Sequence, residues 1–130
     1  MRIRKTLADF DNGRTVSLLF SCADMGKASG KYLVGLDASD SGHLVVVFDE
    51  SAAFHRDIAS RYRLRPRGGG WLDLDSSKKR IRLSSCSQAY GREPDRDLTR
   101  RLLSVAFPEF SCAVDPPKNR RSQSGASCVE

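Results

Sequence analysis

Two short segments contain residue types that could do chemistry, and the first is a predicted helix over 51–64. Phe54, Ile58 and Tyr62 recur every four residues and predict one buried stripe. His55 lies about 100° around the helix from this stripe, so it need not face the core. An exposed imidazole, with a pKa of about 6.5, can take a proton from water at neutral pH. A surface histidine without a role fits the same pattern.

The second segment is the small-residue loop Ser84–Gly91, which follows a predicted strand and precedes a predicted helix. Its N–H groups around Ser87, Gln88 and Ala89 could hold phosphate oxygens beside a helix N-terminus. A plain strand-to-helix connection explains the loop equally well. Lys31, which begins the first predicted strand, could neutralise a phosphate with its ammonium group, although a solvated lysine is the simpler interpretation.

The same loop supports a different enzyme. Cys86 and Arg92 have the cysteine-x5-arginine spacing of cysteine phosphatases, in which a thiolate attacks phosphorus and the arginine holds the oxygens. The bulky Tyr90 and a single glycine, Gly91, argue against this interpretation. Two fixed positions also match easily by chance, so the hypothesis ranks below the histidine.

The four cysteines form no C-x-x-C pair and have no histidine at a metal-ligand spacing, which argues against a zinc site. The N-terminus has no signal-peptide core, so we expect reduced thiols and no disulfide framework. We expect no metal and no cofactor. His43 stands beside a predicted turn and is interpreted as structural or solvent-facing.

The elements that must position these residues follow from periodicity and capping. Asp95 is a good N-cap for a second helix through about residue 107, with its core face at Leu98, Leu102 and Val105 or Ala106. Strands are predicted at 31–37, 43–50, 71–74, 80–83 and 110–114. The order is β-β-α-β-β-α-β, which predicts one α+β domain with two helices packed on a mixed sheet.

Three regions differ in how well they can be interpreted. Residues 1–30 form a segment of uncertain structure, apart from a possible hairpin at Asn12-Gly13. Residues 31–115 form the predicted domain. Residues 116–130 have almost no apolar content and are predicted to be a disordered basic tail.

Composition limits the classes of function. The chain has 22 basic and 16 acidic residues, a formal charge of +6, which favours anionic partners. Nucleic acid is the weakest such partner, because no basic stripe or stacking aromatic platform accompanies the charge. No apolar run approaches the roughly 20 residues of a membrane span. We expect a cytoplasmic monomer that does not bind membranes.

The ordered motifs resemble the protein phosphohistidine phosphatase (Janus) family. They are FHRDI at 54–58, a triple glycine at 68–70, DSSKKRIRLSSCSQAYG at 75–91, and FPEF followed by CAVD. The resemblance covers about residues 31–115. It implies a metal-free phosphatase that acts on phosphohistidine in proteins or peptides.

The resemblance also implies roles for individual residues. His55 corresponds to the catalytic general base of the family, and Lys31 corresponds to its phosphate-binding lysine. Ser87, Gln88 and Ala89 correspond to the loop that holds the substrate phosphate, and Gln88 would act through its backbone.

Two departures from the family pattern affect the expected cations. Trp71 stands where family members often have an arginine, and Val47 lies near the place of a second one. These changes motivate an alternative from another class, a family member that binds phosphorylated proteins without hydrolysing them. Arg65, Arg67 or Arg92 could compensate.

Overall fold

A computed structural model of the protein describes residues 1–39, 43–115 and 128–129. It is a single α+β domain with a seven-stranded mixed sheet and two helices, which confirms the predicted class. In chain order the elements are β1 (Arg2–Asp11), β2 (Arg14–Ser21), β3 (Lys27–Asp37), β4 (Leu44–Asp49), α1 (His55–Arg61), β5 (Leu64–Asp75), β6 (Arg80–Ser84), α2 (Arg96–Ala106) and β7 (Ser111–Val114).

The strands lie in the order β1-β2-β4-β3-β5-β6-β7, with β1 and β7 at the edges. The pairs β2–β4 and β6–β7 are parallel, and the other four pairs are antiparallel. The predicted strands 31–37 and 43–50 therefore pair with each other in antiparallel fashion, as β3 and β4. Because β3 pairs with both β4 and β5, the strand that carries Lys31 lies at the centre of the sheet.

Residues 1–30 belong to this sheet, so the predicted domain boundary at residue 31 is wrong. The Asn12-Gly13 turn, with φ of +51° and +80°, joins β1 to β2 in the predicted hairpin. β3 begins at Lys27, four residues before the predicted strand. Most side chains of β1 are exposed because it is an edge strand, and its sequence therefore lacks a strong apolar pattern.

The sheet has an apolar core on each face. Leu33 and Val47 pack with Ile58 of α1 on one side. Tyr32 and Phe48 lie in the larger core on the other side, which includes Leu102, Leu103 and Phe107. All four residues from Val45 to Phe48 are buried, as the apolar run in β4 predicts.

Helix α1 is shorter than predicted. It begins at His55, and its N-cap is Phe54, whose N–H donates to the Asp57 carboxylate at 3.1 Å. Ser51, a good capping residue at the start of the predicted helix, instead donates its hydroxyl to Asp49 at 2.7 Å. A nearby carboxylate therefore binds the side chain that would have capped the helix.

β5 is longer than the predicted strand 71–74, because it continues back through Gly68–Gly70, hereafter the glycine triplet. Helix α2 begins after Asp95, whose carboxylate accepts from Leu98 N–H at 3.0 Å, as predicted. Val105 is 51% exposed, so of the two predicted alternatives it is Ala106 that packs against the core. Among the described residues, no helix has the length and apolar content to cross a membrane.

Candidate functional site

The structure brings the two predicted chemical segments to one groove. Phe54 and Arg56, from the start of α1, form one wall, and Gln88 and Ala89 form the other. This open space of about 450 Å³ is called the loop groove. Arg56, Gln88 and Ala89 are exposed, so a solute can reach both walls.

His55 lies between the two groove residues of α1 but is fully buried. The interpretation of His55 as an exposed imidazole is therefore wrong. Its Nε2 lies 3.0 Å from the carbonyl oxygen of Gly70. A carbonyl only accepts hydrogen bonds, so Nε2 carries the hydrogen, and a neutral ring has its lone pair on Nδ1.

The glycine triplet connects this histidine with the loop. A Cβ on Gly69 would overlap the main-chain oxygen of Tyr32 and lie 3.1 Å from His55 Cδ2, so the neighbouring strand and the imidazole leave no room for a side chain. Gly69 N–H donates to Gly91 O at 2.9 Å. Gly68 has a φ of +144°, and a Cβ there would approach Glu93 N to 2.5 Å. The absence of side chains thus allows helix and loop to approach β5 closely.

Lys31 lies on the same face of the sheet as the imidazole. It pairs directly with Trp71, which is two residues from Gly69 along β5, and alternate residues share a face. Its ammonium lies 5.4 Å from the centre of the Trp71 ring, a cation–π contact. Lys31 is half-buried inside β3 and does not begin a strand as predicted. It does not line the loop groove.

The loop differs from the predicted phosphate cradle because most of its N–H groups are already hydrogen-bonded. Ser87 is buried, and its N–H donates to Gly91 O at 3.1 Å while its hydroxyl accepts from Tyr90 N–H at 3.1 Å. Gln88 N–H donates to Val129 O at 2.7 Å. The Ala89 N–H has no acceptor within the described ranges. Ala89 and the Gln88 side chain are thus the parts of the loop that face the groove.

A disulfide joins Cys86 to Cys128, so the expectation of reduced thiols is wrong for this pair. Cys22 and Cys112 are free thiols. The disulfide also corrects the predicted tail 116–130, because residues 128–129 are held against the loop; its other residues lie outside the described ones. The two cysteines are 42 residues apart in sequence, so no local spacing indicates that they pair.

The cysteine-phosphatase arrangement is absent from this state. Cys86 has no thiolate while it is bonded to Cys128. Arg92 donates to an Asp115 carboxylate oxygen and to the Asp115 carbonyl, both at 3.1 Å, so its guanidinium does not point at an anion site in the loop.

A buried ionic network supports the loop from the α2 side. The Glu93 carboxylate accepts from Tyr32 Oη at 2.7 Å and from Thr99 Oγ1 at 3.0 Å. The Arg96 guanidinium binds Glu93 and Asp115 and donates to Gly69 O at 3.1 Å. Burial and then the Glu93 charge raise the pKa of Tyr32 well above its ordinary value. Through the bond to Gly69 O, the network holds β5, the strand that hydrogen-bonds to His55.

The cation nearest the groove is one that sequence reasoning missed. Arg56 follows His55 directly and lines the loop groove, with its guanidinium carbon 4.6 Å from the centre of the Phe54 ring. Val47, which lies near the place of an arginine in the family pattern, is buried in the core and contributes no charge. The motif FHRDI contains the signal, because residues that flank His55 at the start of a helix must lie close to it.

A larger groove of about 640 Å³ lies elsewhere and contains none of the residues predicted to do chemistry. Its lining includes His43, whose Nε2 lies 3.3 Å from Ser17 Oγ. Asp37 in the same lining accepts two hydrogen bonds from Ser39, which lower its pKa. We base the candidate site on the loop groove, where the two motifs meet.

No cluster of three histidine, cysteine or acidic residues suited to a metal ion occurs in the ranges that the structure describes. Comparison with known proteins found no matching family model and no matching curated protein.

Proposed function

We propose that this protein is a phosphohistidine phosphatase that binds the phosphorylated side chain in the loop groove and uses His55 as general base. One observation carries the proposal: the groove is bounded by FHRDI and by the loop of the SSCSQAYG segment. These are the two segments in which the resemblance places catalysis and phosphate binding.

Positive charge and one backbone donor favour a phosphoryl group at this place. The Arg56 guanidinium is exposed on one wall, and the Ala89 N–H on the other has no acceptor among the described residues. Both groups stabilise negative charge on phosphoryl oxygens. Lys31 lies on the same sheet face as His55 and adds a second cation nearby.

In the proposed reaction a water molecule attacks phosphorus in line with the P–N bond. The P–O bond forms as the P–N bond breaks, and the displaced histidine nitrogen takes up a proton from solvent. His55 accepts the proton of this water as the general base. The P–N bond of phosphohistidine is labile, so positioning, charge stabilisation and a base suffice for its hydrolysis. Since His55 is buried, the side chains that cover it must move when the substrate binds.

Phosphate release from a phosphohistidine peptide tests the role of His55. Glutamine is the informative replacement, because its amide can still donate to Gly70 O but cannot act as a base. We expect H55Q to lose about 10²–10⁴-fold in kcat. H43Q is the matched control, since His43 lies in the other groove, and it should retain the wild-type rate. A wild-type rate in a folded H55Q protein would end the proposal.

The contribution of Arg56 is tested by a second matched pair. R56A should weaken binding of the phosphorylated peptide, whereas R82A removes the same charge from an exposed position on β6. Equal effects of the two substitutions would show that net charge, and not the groove, attracts the substrate.

A second candidate function is binding of phosphohistidine proteins without hydrolysis. The burial of His55 favours it, because the general base of the hydrolytic reaction is not exposed to an attacking water. It predicts saturable binding of the phosphorylated peptide with no phosphate release, even at stoichiometric protein concentration. Turnover that H55Q removes would exclude it.

A further inference from the structure

The C-terminal residues Cys128 and Val129 contact the loop as a short parallel β-bridge. Val129 N–H donates to Cys86 O at 2.7 Å, and Gln88 N–H donates to Val129 O at 2.7 Å. The bridge pairs Ser87 with Val129. The disulfide to Cys86 holds these two residues at this position.

The segment Cys86–Gln88 therefore has the hydrogen-bonding pattern of a strand edge. Ser87 directs its N–H and C=O inward, where both bond to Gly91 at 3.1 and 2.8 Å. Cys86 O and Gln88 N–H point the other way, toward Val129. All of these bonds use the main chain, so the edge can accept an extended peptide of almost any sequence.

We propose that Cys86–Gln88 is a binding edge for an extended substrate peptide, which this chain's own C-terminal residues occupy while the Cys86–Cys128 disulfide is formed. The inference rests on the proposed function for the identity of the peptide, a segment that contains phosphohistidine. Gln88 belongs to the edge and also lines the loop groove, so a peptide bound here passes directly beside the groove.

The disulfide explains how two hydrogen bonds compete with a free peptide. A segment tethered beside its site behaves as a ligand at an effective concentration of about 1 mM or more. Reducing the disulfide leaves only the polypeptide chain after residue 115 as a tether, which lowers the effective concentration. Cys128 and Val129 can then dissociate and leave Cys86 O and Gln88 N–H for the substrate. Occupation by the protein's own residues is thus an autoinhibitory contact.

The release step is a thiol–disulfide exchange with a cellular dithiol. A thiolate of the dithiol attacks one sulfur of the Cys86–Cys128 bond, and the other sulfur leaves as a thiolate that takes up a proton. The second thiol of the reductant then displaces the remaining cysteine. The products are two protein thiols and an oxidised, cyclic disulfide of the reductant.

The test uses the full chain in its oxidised form, after treatment with dithiothreitol, and as the C128S variant. C112S is the control, because Cys112 is a free thiol of β7 and its loss leaves the disulfide intact. Fluorescence anisotropy measures binding of a labelled histidine peptide, phosphorylated and unphosphorylated. We expect reduced protein and C128S to bind the peptide on the order of tenfold more tightly than oxidised protein and C112S.

Hydrogen exchange of the Gln88 amide provides a readout that does not depend on activity. It should accelerate in C128S without peptide and slow again when peptide is added. Equal peptide affinity in C128S and oxidised protein, or a Gln88 amide that is indifferent to the disulfide, would overturn the inference. Alkylation of all four cysteines in folded protein under air oxidation would overturn it as well.

The outcomes separate this inference from the proposed function. If C128S binds both peptides more tightly but releases no phosphate, the binding edge is supported and the proposed phosphatase activity is rejected. Phosphate release at the same rate from oxidised and reduced protein supports the phosphatase and removes the inference.

Discussion

Replacing Glu93 with glutamine should strongly destabilise the protein, because this carboxylate is the main anion of a buried network. It is 3% exposed and accepts from Tyr32, Thr99 and two nitrogens of Arg96 at 2.7–3.0 Å. Glutamine has the same shape but replaces one acceptor oxygen with a donor. If the glutamine NH₂ group faces Arg96, its N–H donors oppose the N–H donors of the guanidinium. In the other orientation, the buried Arg96 guanidinium still loses the negative charge of Glu93.

Removing one partner of a buried ion pair costs about 3–5 kcal/mol. A domain of this size has about 5–15 kcal/mol of stability and loses roughly 4 °C in Tm for each kcal/mol. We therefore expect E93Q to melt about 12–20 °C below the wild type. Thermal and urea unfolding followed by circular dichroism measure this change.

The matched control is E109Q, which makes the same chemical change at the surface. The Glu109 side chain is 79% exposed and lies 3.7 Å from Lys79 Nζ, and such exposed pairs contribute at most about 1 kcal/mol. A loss of stability in E93Q no greater than that in E109Q would refute the reasoning that the network supports β5 and the loop.

Three further predictions concern stability. Burial opposes ionisation of Asp49, but neighbouring hydroxyl and guanidinium donors outweigh burial and lower the pKa of this carboxyl. Asp49 of the unfolded chain therefore takes up its proton at a higher pH than in the folded protein, so the free energy of unfolding falls with acid. The urea midpoint of D49N should fall less between pH 7 and about pH 3 than that of the wild type. G69A places a Cβ in overlap with the main-chain oxygen of Tyr32 and 3.1 Å from His55 Cδ2, and it should cost at least about 1–3 kcal/mol in urea unfolding. G26A is the control and should cost less, because its Cβ meets only the flexible Asp24 side chain, at 3.2 Å. D95A removes the N-cap of α2 and should cost about 0.5–2 kcal/mol in the same assay. An unchanged urea midpoint would show that water replaces the carboxylate.

The parts of the fold that the sequence predicted have local causes. The β-branched run of β4 requires burial on both faces, and the Asn12-Gly13 pair supplies the positive φ values of a tight hairpin. Asp95 caps α2 because its carboxylate reaches the third residue ahead. Each feature depends on neighbours within a few residues.

The errors come from contacts between distant residues. Ser51 does not cap α1 because Asp49 accepts its hydroxyl, and two possible acceptors cannot be ranked from sequence. The N-terminal hairpin joins the sheet through β4, which comes more than twenty residues later along the chain. A pattern within either segment does not reveal this pairing.

The sequence identified the two segments that form the candidate site, but not which of their residues are accessible in the groove. Helical geometry gave the direction of His55 relative to the stripe, but the space that buries it comes from Gly69, on a different strand. Likewise, the Cα atoms of Cys86 and Cys128 lie 4.4 Å apart although 42 residues separate them. Only the assembled sheet determines which groups face the groove.

The parallel pairing of β2 with β4 has a consequence for shorter versions of the protein. Six residue pairs, from Val16 with Leu44 to Ser21 with Asp49, cover the side of β4 that faces away from β3. A fragment that begins at Lys31 lacks β2 and leaves these N–H and C=O groups of β4 without partners, next to four buried apolar side chains. Such an exposed apolar edge is a template for pairing with other molecules. We expect this fragment to aggregate. In the full chain, residues 1–30 prevent this self-association because β2 pairs with β4.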